Sequence, residues 1–181
     1  AVAQQTHEIA YYQDFSMPAD GGSGGVASHT PSYYAFDIGN IHFLSLDSYG
    51  KENGARIYDT LGPQVEWIKK DLAETRSKWV VAYFHHPPFT MGSHSSDEEE
   101  QLVKIRENLV PILERYGVDL VLCGHSHDYE RSRPMYGYYG KEEAFDSARY
   151  TLSGSSGKND GSQNSSPYTR RRLRGKGTVY V

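Results

Sequence analysis

Two histidines placed two residues apart, His125 and His127, follow Gly124 and the apolar run Val118 to Cys123. Neutral imidazole is a good ligand for zinc, iron, manganese or nickel. In an extended chain, residues i and i+2 point to the same side, roughly 6–7 Å apart. That separation suits two metal ions held about 3.5–4 Å apart. The motif therefore favours a dinuclear metal site, and on its own it leaves a loop with two solvated histidines as the alternative.

A third histidine, His85, ends a second apolar run, Trp79 to Phe84. Both runs are short and rich in β-branched or aromatic residues, so they predict buried strands. A helical pattern separates them, which predicts a β-α-β unit with parallel strands. Because ligands of such units bind beyond the carboxyl ends of the strands, we expect His85 to meet His125 and His127 at one edge of the sheet.

The chain before this unit predicts a hairpin and a helix. Residues 33–38 and 41–47 flank a two-residue turn, Gly39-Asn40, which is typical of a β-hairpin. Within it, His42 alternates with apolar neighbours and is expected to be a packed or surface residue rather than a ligand. Residues 60–77 predict a helix with Pro63 in its first turn.

A second helix is predicted to begin near Ser96. Ser96 to Glu99 has the pattern of a capping box. The acidic run from Asp97 to Glu100 would then be explained by the positive end of the helix, with no role at a metal. Pro111 should kink this helix or begin a new turn.

The last third of the chain carries weaker signals. Residues 134–167 are rich in Tyr, Gly and Ser and are too long for a simple connection, so they predict a functional loop, an insertion or partial disorder. Residues 150–152 predict a short strand, and residues 177–181 begin another. The basic run at 170–174 is interpreted as a solvated face.

Composition narrows the class of protein. The chain has 181 residues, which suits one domain, and its net charge of −4 argues against a nucleic-acid binder with a broad basic field. No apolar run approaches the length of a transmembrane helix, so we expect no membrane partner. The single cysteine, Cys123, excludes an internal disulfide.

The stretch Ala82 to His85 followed by prolines, together with Gly124 to Arg131, resembles the last two motifs of the calcineurin-like metallophosphoesterases. The resemblance is closest to the purple acid phosphatase branch and covers about residues 33–133. It implies an α/β fold that forms the second half of a four-layer α-β-β-α sandwich, with parallel strands joined by a crossover helix and an added β-hairpin.

The resemblance also implies roles for the histidines. His85 and His125 would hold one metal ion and His127 the other, with iron, zinc or manganese as the candidates. His94, nine residues after His85, matches the family's outer histidine, which binds the phosphate or protonates the leaving group; a solvated loop residue is the alternative. His86, Asp128 and Glu130 would orient the imidazoles from behind.

Three family motifs, Asp-x-His, Gly-Asp-x-x-Tyr and Gly-Asn-His-Asp/Glu, do not occur in residues 1–181. They supply the bridging carboxylate and the other anionic ligands. We therefore interpret residues 1–181 as the C-terminal portion of one domain, truncated at both ends. We expect this chain alone to hold metal weakly or not at all, to lack phosphatase turnover, and to pair with the N-terminal half or with itself through an open sheet edge.

The predicted function is metal-dependent hydrolysis of phosphate esters by a dinuclear site, as in an acid phosphatase acting on monoesters. The alternatives are a phosphodiesterase, a non-catalytic binding domain with the same fold, and a single-metal histidine site without phosphate chemistry. The expected partner is a phosphate ester substrate. A secreted or extracytoplasmic location is predicted from the branch and from a glycosylation pattern at Asn164.

Overall fold

A computed structural model of the chain describes residues 8–51, 54–158, 160–163, 165–168 and 177–181. The described residues contain one five-stranded mixed sheet with the strands in sequence order. The first two strands are antiparallel and each later strand is parallel to its neighbour. The strands are β1 Tyr34–Ile38, β2 Ile41–Ser45, β3 Trp79–Tyr83, β4 Leu120–Leu122 and β5 Val179–Tyr180.

The predicted hairpin is confirmed as β1 and β2, in the predicted register around Gly39. Gly39 has φ of 60°, a left-handed conformation that costs glycine nothing and lets the chain reverse in two residues. On one face of the hairpin the rings of Phe36 and Phe43 stack with centroids 5.0 Å apart. This cross-strand pair fixes the register from the side opposite the core.

Two helical segments make the crossovers, and helix and sheet bury a common apolar core. α2, Pro63–Glu74, joins β2 to β3, and Pro63 lies in its first turn as predicted. The helix is shorter than the predicted span of 60–77. Its apolar stripe of Val65, Ile68 and Leu72 is buried, and Ile68 and Leu72 belong to the core that the helix shares with the sheet. α2 returns the chain so that β3 runs parallel to β2. The predicted β-α-β unit lies one step later and is confirmed, because β3 and β4 pair in parallel across the second crossover.

The second crossover runs without a break through α3 Glu100–Lys104, a π-helical turn Ile105–Leu109 and α4 Val110–Arg115. The predicted helix begins at Glu100, and the capping box predicted at Ser96 is not formed. The Ser96 hydroxyl exchanges hydrogen bonds with the backbone of Thr90, 3.1 Å in each direction, so it closes a loop and caps no helix. Pro111 lies in the first turn of α4, where its missing N–H costs little, which confirms the new turn predicted there.

The late segment, meaning the described residues after Arg133, adds β5 to the open side of β4. Residues 150–152 do not form the predicted strand: α5, Ser147–Tyr150, ends there, and Thr151 makes only an isolated bridge to Met135. Two further short elements are α1 Ala10–Asp14 and the 3-10 turn Glu142–Ala144. The predictions for Asn164 and for the run at 170–174 lie outside the described residues.

The carboxylate of Glu114 anchors this late segment to α4. It accepts hydrogen bonds from the hydroxyls of Tyr139 and Tyr180, both at 2.9 Å, and from the backbone N–H of Gly137 at 2.8 Å. Burial raises the pKa of Glu114, although these hydrogen bonds act to lower it. Where the structure describes the chain, no helix is long and apolar enough to cross a bilayer.

Candidate metal centre

His85 and His125 meet at the carboxyl ends of β3 and β4. His85 Nε2 and His125 Nδ1 are 3.1 Å apart. Backbone hydrogen bonds continue the strand pairing up to this point, from Phe84 N–H to Leu122 O and from Gly124 N–H to His85 O. A Cβ on Gly124 would stand 3.4 Å from His85 Nδ1, so this residue lies directly against the His85 ring.

His127 takes a different position from the one that extended geometry predicts. His125 has φ of 68°, so the backbone turns at the first histidine and the i, i+2 argument does not apply. The backbone N–H of His127 donates to Ser93 Oγ at 3.0 Å, and His127 is exposed. Its ring is absent from the two groups of metal-ligating side chains that the described residues form.

The first of these groups contains His85, His86 and His125, whose ligand atoms lie within 4.8 Å of one another. His86 is buried, and Ser48 fixes its position. Ser48 Oγ accepts the backbone N–H groups of His85 and His86, each at 3.1 Å, and lies 3.0 Å from His86 Nδ1.

The proton of His86 can be placed from its partners. Gln101 Nε2, which can only donate, also lies 3.2 Å from His86 Nδ1. Nδ1 therefore accepts, and the neutral ring carries its proton on Nε2. Burial, together with the nearby rings of His125 and His85, lowers the pKa of His86 to about 4. The ring stays neutral at ordinary pH and offers no free lone pair, which suits an orienting neighbour better than a ligand.

The second group contains His94, Glu99 and His125. The rings of His94 and His125 stack with centroids 3.8 Å apart. His94 Nδ1 lies 2.8 Å from Glu99 Oε1, and His125 Nε2 lies 3.7 Å from Glu99 Oε2. The loop that carries His94 thus folds back over the histidines at the strand ends.

Glu99 is the residue that sequence reasoning missed. The interpretation of the acidic run as a helix end needs correction, because only part of it serves that end. Glu100 forms an i, i+4 pair with Lys104, and Asp97 pairs with the buried Arg106 at 2.9 Å. Glu99 instead turns toward the histidines. In the sequence, Glu99 is marked only by its spacing of five residues from His94. That spacing matches neither the helical nor the strand period, so it does not predict a contact.

Asp128 and Glu130 lie behind the loop rather than against the imidazoles. Glu130 accepts from the Thr90 hydroxyl at 2.5 Å and from the Met91 N–H at 3.1 Å. Asp128 lies against Gly92, where a Cβ would come within 2.2 Å of its carboxylate. Glu130 therefore braces the segment between β3 and His94, and the hydrogen bonds that it makes among the described residues go to Thr90 and Met91.

The electrostatics of the cluster suit a cation. Burial, and then the neighbouring rings of His94 and His85, lower the pKa of His125, so its ring is neutral and can donate a lone pair. Partial burial acts to raise the pKa of Glu99, but the hydrogen bonds from His94 and from the Ser95 N–H outweigh it and the pKa falls. Imidazole nitrogens with one carboxylate form a donor set that fits zinc, iron or manganese.

A cavity of about 320 Å³ lies beside the cluster, beyond the ends of β4 and β5. Gly124 and Ser126 belong both to its wall and to the histidine loop. The Ser126 hydroxyl is buried and has no hydrogen-bond partner among the described residues. Most of the exposed wall is apolar, so the cavity differs in character from the histidine cluster.

Comparison with known proteins identifies a family and several relatives. A sequence model of the family described as calcineurin-like phosphoesterase matches residues 7–129. Purple acid phosphatase 15 of Arabidopsis thaliana is 37% identical over 132 residues, which are 71% of this chain and 22% of that protein. An uncharacterized protein of Mycobacterium tuberculosis (strain ATCC 25618 / H37Rv) is 32% identical over 142 residues, 74% of this chain and 26% of that protein.

Among solved structures, purple acid phosphatase PPD1 from yellow lupin (Lupinus luteus) seeds aligns at 25% identity with a TM-score of 0.47, over 57% of this chain and 18% of that one. The chain spans about a quarter of the length of the Arabidopsis and Mycobacterium relatives.

Proposed function

Because the chain belongs to the calcineurin-like phosphoesterase family, we propose that the protein at its full encoded length hydrolyses phosphate esters at a dinuclear metal site. The observation that carries the proposal is the 3.1 Å approach of His85 Nε2 and His125 Nδ1 beyond the ends of two parallel strands. Two imidazole nitrogens at that distance can share one proton at most. When a metal ion takes the place of that proton, both nitrogens can coordinate it through their lone pairs.

His85 and His125 would hold one metal ion, and His127 would hold the other after its exposed ring swings toward them. Two bound ions in such a site supply an activated water and neutralise the charge on the phosphate oxygens. Iron, zinc and manganese all suit imidazole and carboxylate ligands. His86 would orient His85 from behind, because both of their backbone N–H groups are held by Ser48.

His94 is the proposed substrate-binding and proton-donating residue. Glu99 accepts the proton on its Nδ1 at 2.8 Å, which leaves Nε2 to face the substrate. An adjacent carboxylate stabilises the imidazolium, the form that protonates a leaving oxygen. Its ring stacks on His125, so Nε2 can reach a phosphate bound at the cluster.

The finer proposal is a phosphomonoesterase of the acid phosphatase type. Two curated relatives that match this chain are named purple acid phosphatases 15 and 23. A secreted or extracytoplasmic location is part of the same proposal. The competing function is a non-catalytic domain that keeps the fold and binds a ligand through its loops. It predicts a folded protein without turnover.

The test uses the full-length protein purified with its metals. We expect hydrolysis of a chromogenic phosphate monoester and two metal ions per chain by elemental analysis. A His94→Ala variant should lose about 10²- to 10⁴-fold in turnover with its metal content unchanged. A His29→Asn variant is the control, since His29 lies outside the cluster. A His94→Ala protein that loses its metals, or that works at the parental rate, would refute the assigned role.

A second measurement concerns residues 1–181 alone. Among the described residues, Glu99 is the single carboxylate found within the metal-ligating groups. Neutral histidines and one carboxylate do not offset two cations held about 3.5–4 Å apart. We expect weak binding of at most one ion and no turnover. Two tightly held ions with turnover would mean that other carboxylates of this chain complete the site.

A further inference from the structure

His42 lies apart from the cluster, near the other end of the sheet. It is in the hairpin, opposite Val80 of β3, and has no exposed surface. Both of its ring nitrogens contact carboxylates. Nδ1 lies 2.7 Å from Asp37 Oδ1 on β1, and Nε2 lies 2.6 Å from Asp71 Oδ2 on α2.

These two contacts set the number of protons. A hydrogen bond needs one proton between each nitrogen and oxygen, and a neutral imidazole carries only one N–H. Asp71 is already an acceptor through its other oxygen, which takes the Val26 N–H at 2.7 Å. Asp37 has 41% of its side chain exposed, so water stabilises its ionised form. An imidazolium supplies both protons while the two carboxylates are ionised, and two such partners favour that form.

The surroundings of His42 leave these two carboxylates as its charged partners. On β3 its neighbour is Val80, and a Cβ on Gly25, in the glycine-rich loop of residues 20–26, would stand 3.2 Å from its ring. Burial alone would lower the pKa of His42, but the hydrogen bonds and charges of Asp71 and Asp37 outweigh it and the pKa is raised. An imidazolium between two carboxylates is thus stabilised in a place from which water is excluded.

We propose that Asp37, His42 and Asp71 form a pH-sensitive clasp, in which doubly protonated His42 ties the hairpin and the glycine-rich loop to α2 and releases them in alkali. When the ring loses its second proton, one of the two hydrogen bonds is lost. The carboxylate oxygen and the bare ring nitrogen then repel each other at that short distance. Asp37 is partly exposed and can take up water, whereas Asp71 is fully buried. The Asp37 contact opens first, and the hairpin loosens from its turn end.

The sign of the effect follows from the raised pKa. The stabilisation by the clasp is complete below the ordinary histidine pKa of 6.5 and is lost as the pH rises through the higher value in the fold. Each unit by which the folded pKa is raised corresponds to about a tenfold change in the folding equilibrium. The fold is therefore expected to be more stable at about pH 6 than at about pH 9.

The experiment follows the ring nitrogens of His42 directly. Long-range proton–nitrogen NMR spectra of metal-free residues 1–181 distinguish an imidazolium from either neutral tautomer. We expect a midpoint above the ordinary 6.5 and an imidazolium at pH values below that midpoint. A neutral His42 ring at pH 6, or a midpoint below 6.5, would overturn the proposal without any variant being needed.

Urea unfolding between about pH 5.5 and pH 9.5 supplies the second readout. The unmodified chain and a His29→Asn control should lose stability on the alkaline side, and a His42→Gln variant should not. If His42→Gln does not fold, Asp37→Asn replaces it, because it keeps a side chain of the same shape and should lower the His42 midpoint. Equal alkaline losses in the unmodified chain and the variant would refute the clasp.

Discussion

His42 and His86 are both buried, with 0% and 4% of their surface exposed, yet their surroundings are opposite in charge. His42 lies between two carboxylates, which raise its pKa against the effect of burial. His86 contacts a hydroxyl, an amide and two other imidazoles, and burial with those rings lowers its pKa to about 4. The surroundings of His42 favour the charged ring, and those of His86 favour the neutral one.

The difference separates two uses of histidine. A ring with a carboxylate on each nitrogen has no lone pair left, so it can only hold the structure together. At the strand ends the rings face one another instead, and the lowered pKa of His125 keeps its ring neutral, with a lone pair that a cation can use. Partner chemistry therefore distinguishes a structural histidine from one that is ready for a metal, and burial does not.

The largest expected effect on stability comes from adding a side chain at Gly25, next to the Asp37–His42–Asp71 clasp. Gly25 has φ of 79°, and a Cβ there would stand 2.6 Å from Ala35 Cβ and 2.7 Å from Asp71 Oδ1. Gly25→Ala combines left-handed strain with overpacking, so we expect a loss of about 2–5 kcal/mol in the free energy of unfolding. Urea unfolding of the metal-free chain measures it.

Gly39→Ala is the matched control, since Gly39 also has positive φ but its Cβ would meet nothing within 4 Å. It should cost only about 1–2 kcal/mol. Equal losses for the two variants would show that the space around Asp71 and His42 is not tightly packed. The zinc affinity of the histidine cluster should stay unchanged in both, because neither glycine contacts it.

The next effect is a loss of folding stability in acid that is caused by His86, called the acid limb below. Its folded pKa of about 4 lies below the ordinary 6.5, so the unfolded chain binds more protons between these values and stability falls as the pH drops from 6.5 toward 4. The shift corresponds to at most about 3 kcal/mol. His125 contributes in the same direction.

Urea unfolding of the metal-free chain from about pH 4 to pH 7 checks this limb. His86→Gln should make the slope shallower while leaving the alkaline limb of His42 in place. His42→Gln should do the reverse. If either variant removed both limbs, the two regions would be coupled and the contrast between them would fail.

Most of the fold was predictable because local signals determine it. The Gly-Asn turn, the two apolar runs and Pro63 each impose one geometry, and the structure confirms the hairpin, the parallel strands and α2. The start of α3 was not predictable, because Ser96 satisfies the backbone of Thr90, six residues earlier, and local sequence does not contain that pairing.

The site was predictable only where it follows the strands. His85 and His125 end neighbouring strands, so topology brings them together. Glu99 and the partners of His42 depend on contacts across the chain, such as the 29 residues between His42 and Asp71, and no period marks them. His127 was predicted from a local spacing that holds only for extended backbone. The left-handed conformation of His125 breaks that condition, so the ring of His127 takes another position.

The smallest expected effect tests the support of the cluster itself. Ser48 Oγ accepts the N–H groups of His85 and His86 and contacts His86 Nδ1. Ser48→Ala leaves buried donors without an acceptor, which should cost about 1–2 kcal/mol in unfolding free energy. Ser126→Ala is the control on the neighbouring loop, because its buried hydroxyl has no partner among the described residues, and we expect a change within about 0.5 kcal/mol. Chemical denaturation of both variants without metal gives the comparison. A Ser48→Ala loss no larger than that of Ser126→Ala would mean that Ser48 does not position the histidines.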